Sequence, residues 1–145
     1  MRLYLDTSAL VKLYVEEEGS PLVRMVVAEA ETVAISIIGY VEARAAFARR
    51  HRERSIPLPD YRRVIRDFES DWGRYLVLQA SDTLIRRAGR LAEAHSLRAY
   101  DSIHLASAII LRQRLAEPLS FASWDSQLQA AARREGLDLV RIRET

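Results

Sequence analysis

The sequence contains no cysteine, and this absence removes several kinds of chemistry at once. Disulfide bridges, thiolate zinc sites and cysteine nucleophiles are excluded, so a metal would have to be held by oxygen ligands or by the three scattered histidines. Carboxylates are therefore the main candidates for metal-ligating side chains.

Long apolar runs are also missing, because none approaches the roughly 18 residues that span a bilayer. Met1 leads directly into the apolar alternation of "RLYL", so we expect neither a signal peptide nor a transmembrane helix, and we expect a soluble cytoplasmic protein. Glycine and proline are sparse, at five and four of 145 residues, and 49% of the residues are hydrophobic. This composition predicts one compact domain over residues 1–145.

A strong charge imbalance is absent too, since 22 basic and 20 acidic residues give a net charge of only +2. Net charge is therefore a weak argument for a nucleic-acid partner. All basic residues but Lys12 are arginines, clustered in "RRHRER" (49–54) and "YRRVIR" (61–66). Guanidinium groups suit phosphates, but solvated helix ends explain these clusters more simply.

Short apolar runs alternate with longer helical patterns, which predicts an α/β fold with a largely parallel central sheet of about five strands flanked by about seven helices. We expect strands at residues 2–5, 32–38, 75–79, 119–123 and 138–142. We expect helices at residues 8–19, 20–30, 40–54, 60–72, 81–95, 101–114 and 125–136. Capping residues or breakers, namely Ser20, Asp60, Ser81 and Gly136, set several of these ends.

Four carboxylates fall near predicted strand-to-helix junctions. Asp6 follows the first strand, Asp125 follows the fourth, Asp101 begins the most apolar helix, and Glu42 lies just inside the helix after the second strand. Ligands of open parallel sheets bind beyond the carboxyl ends of the strands, so these four residues are expected to share one pocket.

Each carboxylate also has a simpler explanation when it is taken alone. Asp6, Asp101 and Asp125 could cap their own helices, and Glu42 in a first turn would interact favourably with the helix dipole. Taken together, the four carboxylates indicate a metal site, because four carboxylates in one pocket would repel one another unless a cation neutralised them. An all-oxygen site favours Mg²⁺ or Mn²⁺ over zinc and is typical of phosphodiester chemistry.

Four segments in order carry a resemblance to a known family: "LYLDTSALVKLY" (3–14), "SIIGYVEARAAFAR" (36–49), "LRAYDSIHLASAI" (97–109) and "FASWDSQLQAAARREGL" (121–137). In these segments the chain resembles PIN-domain ribonucleases, and specifically the VapC-type toxins of bacterial and archaeal toxin–antitoxin pairs. The resemblance implies a PIN-like three-layer α/β/α fold and metal-dependent endonucleolytic cleavage of RNA. It also implies a VapB-type antitoxin as a partner, and a homodimer.

Carried over by position, the resemblance makes Asp6, Glu42, Asp101 and Asp125 an acidic quartet that holds Mg²⁺ or Mn²⁺. Asp6 and Asp101 are expected to bind the metal directly, while Glu42 and Asp125 are expected to hold it often through water, or to hold a second ion. Ser8 and Ser123 correspond to hydroxyls that orient these carboxylates, with Ser123 in place of the more usual threonine.

Two nearby residues are more ambiguous. His104 lies one helical turn from Asp101, but a histidine on an apolar helix is more often a packed core residue, and we interpret it so. Trp124, between Ser123 and Asp125, could either stack on a base or pack inward.

Other functions remain as alternatives. One is an inactive PIN-like RNA-binding or interaction module, which the complete quartet disfavours, and another is a PIN nuclease of ordinary RNA processing. A receiver-type or phosphatase-type domain would need a further acidic residue near Asp6, where Ser8 stands two residues on. A receiver would also need a lysine after a late strand, and the sequence has only Lys12.

Overall fold

A computed structural model describes residues 1–142 of the chain. Within these residues lie five strands: β1 (Arg2–Leu5), β2 (Thr32–Ser36), β3 (Leu76–Leu78), β4 (Ser120–Ala122) and β5 (Asp138–Leu139). Seven helices connect them: α1 (Thr7–Lys12), α2 (Ser20–Glu29), α3 (Ile38–Arg52), α4 (Leu58–Trp72), α5 (Asp82–His95), α6 (Ala99–Leu115) and α7 (Ser126–Arg134). The predicted number and order of elements are confirmed.

The five strands form one sheet in the order β3-β2-β1-β4-β5, and every neighbouring pair is parallel. Burial explains why the strands are rich in apolar residues: Leu3, Tyr4 and Leu5 of β1 are all inaccessible to solvent. Such continuous apolar runs are typical of parallel sheets that are covered on both faces. The predicted parallel α/β class is thus confirmed.

Alternation along β1 divides the core into two clusters. Tyr4 packs in a cluster with apolar residues of α5, α6 and α7. Leu3 and Leu5 pack in the other cluster, with residues of α1, α2, α3 and α4. Because successive strand side chains point to opposite faces, this division produces the three layers α/β/α.

From β1 the sheet extends to one side through β2 and β3, and to the other side through β4 and β5. The strand order therefore switches direction between β1 and β4. Leu5 is in register with Ala122, and the backbone N–H of Asp6 donates to the carbonyl of Ala122 at 3.2 Å. The chain segments that follow β1 and β4 therefore begin side by side. Such a switch in strand order opens a crevice in which parallel α/β proteins bind ligands.

The predicted helix over residues 8–19 is wrong in its second half, because α1 ends at Lys12. The Ser20 hydroxyl donates to the carbonyl of Val15 and accepts from the N–H of Glu17, so it closes a turn in this segment. Ser20 is consequently not the cap of α2; that position belongs to Gly19, which has a φ of 91°.

Other boundaries also differ from the predictions. Strand β2 ends at Ser36 and α3 begins at Ile38, whose N–H donates to the Ser36 hydroxyl at 3.3 Å. Helix α4 begins at Leu58 rather than at Asp60, because proline is tolerated in a first turn, where no intrahelical donor is needed. Strand β5 covers only residues 138 and 139 of the predicted 138–142.

Helix α6 begins at Ala99, with Arg98 as its cap residue. Asp101 is therefore the third residue of the helix and does not cap it, so the capping interpretation of Asp101 is wrong. In residues 1–142, no helix combines the length and the hydropathy that a membrane span requires.

Candidate active site

Asp6 directly follows the central strand β1 and lies at the switch in strand order. Its Oδ1 accepts from the N–H of Ala9 at 2.9 Å, which caps α1, and from the Ser8 hydroxyl at 2.7 Å. The residue is only 3% exposed. The side chain of Asp6 can thus cap α1 and line the predicted pocket at the same time.

Glu42 lies in the second turn of α3, so its expected placement in a first turn is wrong. Its Oε1 accepts from the Thr7 hydroxyl at 2.7 Å and contacts Nε2 of His104 at 2.8 Å. Because an ionised carboxylate only accepts hydrogen bonds, Nε2 of His104 carries the proton. Nδ1 of the same ring is hydrogen-bonded to the hydroxyl of Tyr4, at 2.8 Å. A chain of buried hydrogen bonds therefore connects Glu42 to the core.

Asp101 and Asp125 share one partner, Arg98. Nε of Arg98 donates to Oδ2 of Asp101, and a terminal nitrogen of the same guanidinium donates to Oδ2 of Asp125, both at 3.1 Å. Asp125 also caps α7 by accepting from the N–H of Leu128 at 2.8 Å. One arginine thus links two carboxylates from different elements.

The two serines and the tryptophan near these carboxylates also have defined positions. The Ser8 hydroxyl accepts from the N–H of Trp124 at 3.0 Å, and the Ser123 hydroxyl accepts from the N–H of Asp125 at 3.0 Å. The ring of Trp124 lies against Gly19 and 4.9 Å from Nζ of Lys12. Trp124 therefore packs on the protein, at the edge of the pocket.

Burial and hydrogen bonding act differently on Asp6 and Glu42. Desolvation raises the pKa of Asp6 above its ordinary value, although attraction to His104 and hydrogen bonds from Ser123, Ser8 and Ala9 oppose this shift. Desolvation would also raise the pKa of Glu42, but the hydrogen bond and charge of His104 and the bond from Thr7 lower it overall. Burial therefore disfavours the charged form of Asp6, whereas His104 and Thr7 stabilise the charged form of Glu42.

The four carboxylates line one open pocket of about 330 Å³. The other residues that line it are Thr7, Ser8, Arg98, His104 and Trp124. A larger cavity of about 650 Å³, beside Tyr14, Val27 and Tyr75, contains none of these carboxylates. In the described part of the chain, no three His, Asp or Glu side chains are arranged so that they could hold a metal ion as they stand. Each carboxylate is instead engaged by protein donors.

The sequence therefore predicts which carboxylates lie together, but it does not identify their partners. Arg98 was missed, although its spacing of three residues from Asp101 is one at which helical side chains meet. The sequence also does not predict Thr7 as a partner of Glu42. The packing interpretation of His104 is incomplete, since this buried side chain also contacts Glu42.

Comparison with known proteins places the chain in a family. A model of the PIN domain matches residues 3–134. Two ribonucleases of Mycobacterium tuberculosis, VapC45 and VapC49, are each 34% identical to the chain over 135 residues, which are 92% of this chain and 91% of each relative.

Solved structures share the fold at lower identity. PAE2754 from Pyrobaculum aerophilum superimposes with a TM-score of 0.67 at 20% identity, covering 96% of this chain and 90% of its own. A toxin–antitoxin complex from Klebsiella pneumoniae gives a TM-score of 0.65 at 19% identity, covering 97% of each chain. From the family model and the mycobacterial relatives together, we conclude that the chain belongs to the PIN-domain family, in the group that includes VapC ribonucleases.

Proposed function

We propose that the protein is a Mg²⁺- or Mn²⁺-dependent endoribonuclease whose acidic quartet is Asp6, Glu42, Asp101 and Asp125. The observation that carries the proposal is the convergence of these four carboxylates, from four separate segments, on one pocket at the switch in strand order. Membership of the PIN-domain family and the similarity to two named ribonucleases support the same activity.

The side chains present fit a hard divalent cation. All four are oxygen donors, and the buried Asp6 has a raised pKa that a neighbouring cation would lower again. A cationic group, the guanidinium of Arg98, already contacts two of the four carboxylates. We assign Asp6 and Asp101 as direct ligands, with Glu42 and Asp125 holding the ion often through water, or holding a second ion.

When bound, the cation would lower the pKa of a water molecule and offset the negative charge of the scissile phosphate. The chain itself would hold the ligands in place. Ser8 and the backbone of Ala9 donate to Asp6, Thr7 and His104 donate to Glu42, and Ser123 accepts from the backbone of Asp125. The Ser8 hydroxyl donates to Asp6 and accepts from the backbone of Trp124, so it serves as a positioning group rather than as a nucleophile.

We further propose that the protein acts in the cytoplasm as the toxin of a toxin–antitoxin pair, with a VapB-type antitoxin, and that it forms a homodimer. The mycobacterial relatives are VapC ribonucleases. Structures with the same fold include VapBC2 from Rickettsia felis bound to a promoter DNA fragment and VapBC-1 from Haemophilus influenzae.

Induced expression in bacterial cells tests this function. We expect growth arrest with new RNA 5′ ends within minutes, and relief of the arrest when the neighbouring antitoxin gene is expressed as well. Purified protein is expected to cleave single-stranded RNA when Mn²⁺ is present, and excess EDTA is expected to stop this cleavage. Cleavage without toxicity would indicate ordinary RNA processing. RNA binding without cleavage would indicate an inactive module and contradict the proposed activity.

A further inference from the structure

Arg98 pairs with both carboxylates of one half of the acidic pocket. Two different nitrogens of its guanidinium bond Asp101 and Asp125, which belong to α6 and to the start of α7. The other half has separate partners, because Glu42 is held by Thr7 and His104 and Asp6 by Ser8 and Ala9. Within residues 1–142, Arg98 is the sole lysine or arginine that lines this pocket.

The arginine approaches the pocket from the solvent. Its side chain is 76% exposed, whereas the side chains of Asp101 and Asp125 are only 18% and 29% exposed. Exposed ion pairs are weak, because water screens them and a long side chain loses conformational freedom when it is held. A divalent cation that binds the two recessed carboxylates can therefore displace the guanidinium.

The displaced guanidinium would remain at the mouth of the pocket. Arg98 is the cap residue of α6 with an extended backbone, and its side chain makes no capping bond, so it can turn outward without disturbing the helix. A planar guanidinium binds phosphate oxygens in a bidentate manner. When RNA binds, a negatively charged phosphate must approach four carboxylates. A nearby positive charge reduces the electrostatic repulsion between the phosphate and these carboxylates.

We propose that Arg98 is a substrate-binding residue that exchanges partners: it pairs with Asp101 and Asp125 in the metal-free protein, and it binds a phosphate of the RNA once a divalent cation has taken these carboxylates. This inference rests on the proposed nuclease function. It assigns Arg98 two roles that work in opposite directions, since it competes with the metal and assists the substrate.

The test compares Arg98→Gln with the conservative variant Arg98→Lys and with a matched control. Arg86→Gln is the control, because Arg86 is a similarly exposed arginine that pairs with a first-turn aspartate, Asp82, on α5. Mn²⁺ binding is measured by calorimetry in the absence of RNA. We expect Arg98→Gln to bind Mn²⁺ roughly three- to tenfold more tightly than the wild type, and Arg86→Gln to bind it equally.

Steady-state cleavage of a single-stranded RNA at saturating Mn²⁺ gives the second readout. We expect Arg98→Gln to raise KM about tenfold with a smaller change in kcat, and Arg98→Lys to lie between it and the wild type because a lysine keeps the charge without the planar fork. Arg86→Gln is expected to match the wild type.

The possible failures are distinguishable. Unchanged Mn²⁺ affinity in Arg98→Gln would overturn the competition with metal, and an unchanged KM would overturn the contact with RNA. If the wild type itself neither binds Mn²⁺ nor cleaves RNA, the proposed nuclease function fails. Urea unfolding of each variant shows that the fold is retained, which we expect because Arg98 is exposed.

Discussion

Asp6 is a carboxylate whose burial costs stability in the metal-free protein. Its pKa is raised above the ordinary value of 3.8, so the folded protein holds the proton more tightly than the unfolded chain does. Its contribution therefore becomes less favourable as the pH rises above 3.8, until the pH passes the folded-state pKa. Each pKa unit of the shift corresponds to about 1.4 kcal/mol.

We therefore expect Asp6→Asn to stabilise the metal-free protein at neutral pH. Asparagine caps a helix as well as aspartate does, so α1 keeps its cap while the buried charge is removed. Thermal unfolding in EDTA is expected to give equal midpoints near pH 4 and a higher midpoint for the variant at pH 7. A less stable variant at pH 7 would contradict the inference that the buried charge of Asp6 destabilises the metal-free protein.

His104 joins the pocket to the core, and its removal affects both. In His104→Ala the buried hydroxyl of Tyr4 and the carboxylate of Glu42 each lose a partner, and a cavity remains. We expect a loss of about 3 kcal/mol in the free energy of unfolding by urea. The pKa of Glu42, followed by NMR, is expected to rise, since its burial is then opposed only by Thr7.

His51 provides the control for this variant. It bonds one backbone carbonyl and stacks on Tyr61 outside the pocket, so His51→Ala is expected to cost about 1 kcal/mol and to leave Glu42 unchanged. Equal losses in the two variants would contradict a specific role for His104.

At the scale of the elements, the junction before α2 fixes one wall of the pocket. Gly19 has a φ of 91°, and a Cβ there would lie 2.6 Å from Cζ2 of Trp124. We expect Gly19→Ala to destabilise the protein by about 2 kcal/mol, because of the left-handed backbone and the displaced ring. Lower RNA cleavage should accompany this loss, since Trp124 lines the pocket.

Gly89 is the matched control position, because an alanine there is expected to stabilise the protein. It lies in the interior of α5, and a Cβ there would meet no atom within 4 Å. Gly89→Ala is therefore expected to stabilise the protein by about 0.5–1 kcal/mol in the same denaturation experiment, through helix propensity alone. A midpoint for Gly19→Ala that is unchanged or raised would contradict the argument from Gly19, and a lowered midpoint for Gly89→Ala would contradict the argument from helix propensity.

The sequence predicted the presence and order of the strands and helices better than the residues at which they begin and end. Apolar periodicity was sufficient for the five strands. It also placed Asp6 and Asp125 near each other, because they follow β1 and β4, which pair at the switch in strand order. The end of α1 was not predictable, since it depends on bonds from the Ser20 side chain to Val15 and Glu17. Local propensity does not encode such contacts.

The partners of the carboxylates were harder to predict for a similar reason. Arg98 reaches Asp125 across 27 residues of sequence, and His104 reaches Glu42 across 62. Only the packing of α3, α6 and α7 at the same edge of the sheet brings these groups together. The sequence thus predicted which four carboxylates share the pocket but not the hydrogen bonds that hold them.

At the scale of the whole molecule, the proposed homodimer is open to a direct measurement. Val41 and Tyr100, at 63% and 61% exposure, are large apolar side chains next to Glu42 and Asp101 in sequence. Light scattering is expected to give twice the mass of the single chain at micromolar concentration. The mass of a single chain would contradict the homodimer without affecting the nuclease proposal.

The central claim is that the acidic pocket cleaves RNA with a divalent cation. The most direct measurement is Mn²⁺-dependent cleavage of a single-stranded RNA by the wild type, Asp101→Asn and Asp82→Asn, with Asp82 as a first-turn aspartate outside the pocket that also pairs with an arginine. We predict that Asp101→Asn loses at least a hundredfold in rate while remaining folded, that Asp82→Asn keeps the wild-type rate, and that EDTA abolishes cleavage in both active proteins. Undiminished cleavage by Asp101→Asn, or wild-type cleavage in excess EDTA, would contradict the claim.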